Sequence, residues 1–176
     1  MIAQNNTHTI AFVADIHLLD IYADYENFEG LPVPGQSQKA KIRTMQAQLH
    51  STRLFNENYF VLKAVLDDIA QRGIKLVAFP GDYTDDGQPL NIEGLAKILK
   101  NYEQQYGISF FITTGNHDPV APYNTSGGKP DFSGKNGKEQ AIFSNVLSLP
   151  LEERNDVLVE PKLEKAGYKF ILHSLS

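Results

Sequence analysis

Apolar residues recur at helical spacing in two stretches of the chain. In "NENYFVLKAVLDDIAQRG" (Asn56–Gly73), Tyr59, Leu62, Val65, Leu66 and Ile69 fall on one stripe, with Asn56 placed to cap the start and Gly73 to end it. "IEGLAKILKNYEQQYG" (Ile92–Gly107) predicts a second amphipathic helix that also stops at glycine. Short continuous apolar runs predict buried strands: "HTIAFVAD" (His8–Asp15), "IKLVAF" (Ile74–Phe79) and "ISFFITTGNHD" (Ile108–Asp118), the last running into a polar tip. Prolines and glycines mark Glu29–Gln38 as loop, and Lys39–His50 has helical composition with weak amphipathicity. Residues 119–137, rich in Pro, Gly, Ser and Asn, read as loop, and Gln140–Leu149 as a short helix. "DVLVEP" and "YKFILHS" read as two further strands.

Strands alternating with helices of this length predict an α/β fold built from parallel βαβ units. In such sheets ligands gather beyond the carboxyl ends of the strands. Each of the first three strands delivers polar residues at that end: Asp15 and His17, then Gly81, Asp82 and Asp85, then Gly115, Asn116, His117 and Asp118. Three separated segments are thereby expected to converge on one rim.

Composition narrows the chemistry available there. The chain has 176 residues, about 41% of them apolar, which suits one soluble domain with a real core. A net charge of −5 gives no electrostatic footprint for nucleic acid. Without cysteine there are no disulfides, zinc thiolates or cysteine nucleophiles. No apolar run approaches the length of a membrane span, and the polar "MIAQNNTHT" start is not a signal peptide. A cytoplasmic protein and a mature exported one both fit. No G-x-x-x-x-G-K-[ST] segment and no G-x-S-x-G elbow is present, which argues against a P-loop NTPase and an α/β-hydrolase.

Carboxylates, an imidazole and an amide oxygen form a mixed ligand set that suits Mn, Fe or Zn better than Ca or Mg. Alternation along an extended D-x-H segment places Asp15 and His17 on one side, where both can grip one ion. Asp82 has two carboxylate oxygens and can bridge two ions, and Asn116 offers an uncharged oxygen to the second. His117 is read as a general acid or anion binder rather than a metal ligand, with Asp118 fixing its tautomer. Asp15 and His17 also have an ordinary reading as a polar strand end, and it is the presence of two further tips that favours the site. His8 and His50 are read as surface residues, His173 as a polar strand terminus, and Asp86 as a solvated turn residue. Arg53 either reaches a substrate phosphate or lies on the surface at a helix end, the latter at least as readily. Phe55, Tyr59 and Phe60 are read as core.

"DIH", "GDYTDDG" and "GNHD", in this order at successive strand ends, resemble the calcineurin-like metallophosphoesterases, whose pattern is D-x-H, G-D-x-x-D, G-N-H-D/E, then G-H and G-H-x-H. The resemblance implies a β-sandwich flanked by helices. It implies hydrolysis of phosphate esters, monoesters or diesters, by a hydroxide that two divalent or trivalent metal ions activate. By the same resemblance Asp15 and His17 bind the first metal, Asp82 bridges, Asn116 binds the second, and His117 acts at the scissile phosphate with Asp118 as its partner. Asp85 matches the second acid of G-D-x-x-D, in a supporting role rather than as a ligand.

After Asp118 the only histidine is His173, and neither G-H nor G-H-x-H occurs. Residues 1–176 are therefore expected to form a single, incomplete domain of this type, the N-terminal part of the catalytic fold. Such a chain is expected to hold one metal or none, to have little activity alone, and to associate with a copy of itself or a missing C-terminal half through Asp156–Ser176. The alternative is an inactive remnant that binds one metal weakly and self-associates.

Overall fold

In the computed structural model, residues 8–25, 28–118, 127–134, 137–143 and, as backbone, 157–159 are described. The centre is a three-stranded parallel sheet of β1 (Ile10–Phe12), β4 (Leu76–Phe79) and β5 (Ser109–Ile112), in the order β1-β4-β5. Ile10 pairs with Leu76 and Leu76 with Ser109, so the strands run in step toward one rim. Helix α2 (Asn58–Gln71) returns the chain from β1 to β4, and α3 (Pro89–Tyr106) from β4 to β5. These are the βαβ units expected from the alternation of patterns.

Both helices bury their apolar stripes on one face of this sheet. Leu62, Leu66 and Ile69 of α2 and Leu95, Ile98 and Leu99 of α3 form one core with Val77 and Phe79 of β4 and Phe110 of β5. Tyr59 and Val65 of the predicted stripe pack against that core while partly buried. Side chains alternate along a strand, so the opposite face carries Ile10, Phe12 and Phe111, which are 49%, 72% and 56% exposed. The expectation of a buried strand over His8–Asp15 is corrected here: the strand is Ile10–Phe12, and Ile10 and Phe12 are exposed. Among the described residues β1 is an outer strand, and none of them covers its outward face.

Helix ends also differ from the sequence reading. α2 begins after Glu57 without a side-chain cap. Asn56 is used elsewhere: its amide clamps the Arg43 backbone, accepting from the N–H at 2.8 Å and donating to the carbonyl at 3.0 Å. α3 starts earlier than the apolar pattern suggested, because Pro89 fits the first helical turn, where its missing N–H is harmless. Its stop is as expected: Gly107, at φ 64°, takes the left-handed conformation.

The segment between β1 and α2 forms a second layer. β2 (Leu31–Pro32) pairs antiparallel with β3 (Lys39–Ala40), and the short helix α1 (Met45–Leu49) follows, capped by the Thr44 hydroxyl. The predicted helix over Lys39–His50 is thus halved, and the predicted loop at Glu29–Gln38 contains half of a small hairpin. Leu19, Ile21, Tyr25, Phe28 and Phe55 pack in a separate core on Phe132 and Ile142.

Phe132 and Ile142 belong to strands that the sequence reading did not foresee. β6 (Gly128–Ser133) lies within the stretch read as loop, and β7 (Glu139–Phe143) replaces the start of the helix read at Gln140–Leu149. They pair antiparallel across a bulge, and β8 (Val157–Val159) joins β7 in parallel, as the strand at "DVLVEP" anticipated. Pairing between strands and burial of alternate side chains decide strand formation here, and local composition does not report either. The predicted strand "YKFILHS" and the remainder of the association segment lie outside the described residues.

Candidate metal centre

Beyond the carboxyl ends of β1, β4 and β5 the chain keeps pairing in an irregular way. The His17 N–H donates to the Asp82 carbonyl at 2.9 Å, Leu18 to Tyr83 at 3.0 Å, and Asp85 back to Leu18 at 3.1 Å. This brings the first two tips side by side. The third is drawn in through glycine: a Cβ on Gly115 would lie 2.1 Å from Asp82 Oδ1, so no larger residue fits there. Asp82 Oδ1 in turn accepts from the His117 N–H at 2.9 Å.

Among the described residues, three other than glycine have positive φ: Asp15 at 52°, His17 at 45° and Asp82 at 49°. Such a conformation costs an L-residue about 1–2 kcal/mol, and backbone strain of this kind concentrates where function requires it. All three are residues that the sequence reading placed on metal.

One donor atom from each of His17, Asp82 and His117 lies within 4.8 Å of the others, the one such group among the described His, Asp and Glu side chains. Asp15 Oδ1 is 3.9 Å from His17 Nε2, with its side chain largely in solvent. The His17 and His117 rings meet edge to face at 4.9 Å. His17 is buried, and its Nδ1 has no hydrogen-bond partner among the described residues. Burial first, then the charges of Arg53 and His117, hold the His17 imidazole below its ordinary pKa and so favour the neutral form that a cation needs. An unsatisfied buried imidazole nitrogen beside a carboxylate and a second imidazole fits a borderline transition metal. Asn116 stands exposed at the tip of the third segment, and its amide is not drawn into this group by any hydrogen bond among the described residues. The grouping therefore includes His117, which the sequence reading kept off the metal.

His117 is oriented by neighbours other than the one expected. Its Nδ1 faces the Asp85 carbonyl at 3.2 Å and its Nε2 faces Arg53 Nη2 at 2.9 Å. A guanidinium only donates, so Nε2 accepts and the proton sits on Nδ1. Asp118 does not touch the ring. Its fully buried carboxylate accepts from Thr84 N–H at 2.8 Å, Thr84 Oγ1 at 3.1 Å and Gly115 N–H at 2.7 Å. It staples the third tip to the second, and the tautomer role expected of it falls to the Asp85 carbonyl.

Asp85 has the supporting role expected. Fully buried, it receives Arg43 Nη1 on Oδ2 at 2.8 Å and Arg53 Nη1 on Oδ1 at 3.4 Å. Arg43 also forks onto Asp131 of β6 through Nε and Nη2, and its guanidinium lies over the Phe55 ring at 4.0 Å. Sequence reasoning missed Arg43, since one arginine in a stretch of helical composition carries no signal of burial. Asp86 corrects another expectation. It is buried rather than solvated, with Oδ1 accepting from the Gln88 N–H and the Asn91 amide, and burial pushes its carboxyl up to about 6. Arg53 resolves from two readings to one place, at the rim beside His117. His50 is exposed, as expected. His173 lies outside the described residues.

No helix among the described residues is long and apolar enough to cross a membrane. No curated protein matches the chain. A family model does: that of the calcineurin-like phosphoesterases matches residues 8–173, nearly the whole length. That match and the three strand-end tips agree, and the chain belongs to the calcineurin-like phosphoesterase family, whose members depend on metal ions.

Proposed function

We propose that this chain is a metal-dependent phosphoric ester hydrolase in which Asp15, His17, Asp82 and Asn116 would hold two ions of Mn, Fe or Zn. The observation that carries the reading is the positive φ shared by Asp15, His17 and Asp82. Backbone strain of this kind concentrates where function requires it, and these three residues are the donors expected on a cation. When bound, the ions supply Lewis acidity and offset the charge that develops at phosphorus.

The chain's own residues then have distinct tasks. Asp118 holds the second and third tips in register, and Gly115 lets Asp82 stand against the third tip. His117 carries its proton on Nδ1 and accepts from Arg53 at Nε2; only as the imidazolium, with Nε2 protonated as well, can it donate to a phosphoryl oxygen or to a leaving group. The substrate class is phosphate monoesters or diesters.

A second reading, a chain that binds metal without turnover and associates with itself, draws support from the exposed Ile10, Phe12 and Phe111 on the sheet's outer face. Hydrolysis of an aryl phosphodiester and an aryl phosphomonoester with added manganese separates the two. The first reading expects weak turnover that chelator abolishes. Manganese binding without turnover favours the second, and no manganese binding removes both.

A further inference from the structure

Arg53 comes from the segment between β1 and α2, outside the three strand-end motifs, yet its guanidinium ends at the candidate site. Nη2 lies 2.9 Å from His117 Nε2 and Nη1 lies 3.4 Å from Asp85 Oδ1. The second contact is long because Asp85 is already engaged: Arg43 holds its other oxygen at 2.8 Å. Two guanidiniums share that one buried carboxylate, and Arg43 has Asp131 besides. Arg53 is thus the less neutralised of the two cations, and its side chain remains 28% exposed where Arg43 is 5% exposed.

Its strongest contact is also a poor match for its chemistry. The planar fork of arginine suits paired oxygens on a carboxylate or phosphate. Here one arm points at a single ring nitrogen, and that nitrogen belongs to a histidine of the candidate metal-binding group itself. A group that offers two or more anionic oxygens would satisfy the fork better than the imidazole does, and it would reach the fork from the exposed side.

We propose that Arg53 is a phosphate-binding residue of this site, donating from its guanidinium to the non-bridging oxygens of the phosphoryl group and releasing His117 Nε2 as it does so. Asp85 and Arg43 form the fixed base behind it, keeping the Arg53 fork at the rim in the absence of ligand. The inference rests on the phosphoesterase reading and assigns to it a recognition element that none of the three motifs contains.

Inorganic phosphate, the product of monoester hydrolysis, is the probe. Its affinity for the manganese-loaded protein is measured by calorimetry for wild type, Arg53→Gln and Arg53→Lys, together with manganese affinity and thermal unfolding of each. Charge-assisted hydrogen bonds of this kind correspond to about a 10- to 100-fold change in binding constant. The expected result is phosphate affinity lowered by that factor in Arg53→Gln and partly restored in Arg53→Lys, with manganese affinity not lowered in either. Arg53→Lys retains the charge beside Asp85, so it keeps the test open where Arg53→Gln unfolds. Wild-type phosphate affinity in either variant overturns the assignment of Arg53 alone. Manganese-loaded wild type that binds no phosphate overturns the phosphoesterase reading and this one with it.

Discussion

Replacing Arg43 by methionine removes a guanidinium from a buried ion network while keeping an unbranched apolar stem. With the guanidinium go the hydrogen bond from Nη1 to Asp85 Oδ2 at 2.8 Å, the fork onto Asp131, and the stacking over Phe55 at 4.0 Å. Asp85 is fully buried, and removing one partner of a buried pair costs about 3–5 kcal/mol because the other charge is stranded. Arg53 still reaches Asp85 at 3.4 Å, and Asp131 is partly open to solvent, so the lower end applies, about 3 kcal/mol. Equilibrium unfolding in urea followed by far-ultraviolet circular dichroism measures it. The diagnostic quantity is the cycle with Asp85→Asn. With the stranded charge removed, the double variant should be less destabilised than the sum of the two single variants by about 1–3 kcal/mol. A destabilisation below about 1 kcal/mol, or additive single effects, would refute the claim that Arg43 is the counter-charge of Asp85.

Asp86 gives a pH dependence of opposite sense to that of a paired carboxylate. Burial and the Asp85 charge raise it from 3.8 to about 6, so the folded chain holds this proton more tightly than the unfolded one, and its contribution to stability is lost as pH rises through that window. Relative to Asp86→Asn, wild type should gain about 2 kcal/mol between about pH 7 and about pH 4, measured in chelator; a difference independent of pH would show that the carboxyl titrates normally. Phe12→Ser with Phe111→Ser should lower binding of a hydrophobic dye and any concentration-dependent light scattering, since these are the most exposed rings on the sheet's outer face; unchanged dye fluorescence would mean that this face is covered.

The parts of the site legible in the sequence are those fixed by chain order. A strand must end somewhere, and in parallel βαβ units all the ends meet, so Asp15, His17, Asp82 and His117 could be brought together from their positions alone. The helices were legible because their stripes repeat locally, as Leu62, Leu66 and Ile69 do. What failed were features settled by distant partners. β6 has the composition of a loop and becomes a strand because β7 pairs with it and Phe132 finds a core. Asp118 follows His117 directly and so invites a partnership, but its carboxylate is held by Thr84, from the second tip, and by Gly115, a pairing that adjacency in sequence does not describe. Asp86 reads as a turn acid until Gln88 and Asn91 close over it. Arg43 and Arg53 lie in a segment of weak pattern, and only the fold shows that both reach Asp85.

The central claim is that strained Asp82 stands where metal binds. Its most direct test is manganese affinity by calorimetry for wild type, Asp82→Asn, and Asp68→Asn, the last an exposed acid on α2 ion-paired with Arg72. Asp82→Asn keeps the shape and removes the charge, so manganese should bind wild type and Asp68→Asn alike and bind Asp82→Asn at least about tenfold more weakly. Equal manganese affinity in all three proteins, or none in wild type, would contradict the account.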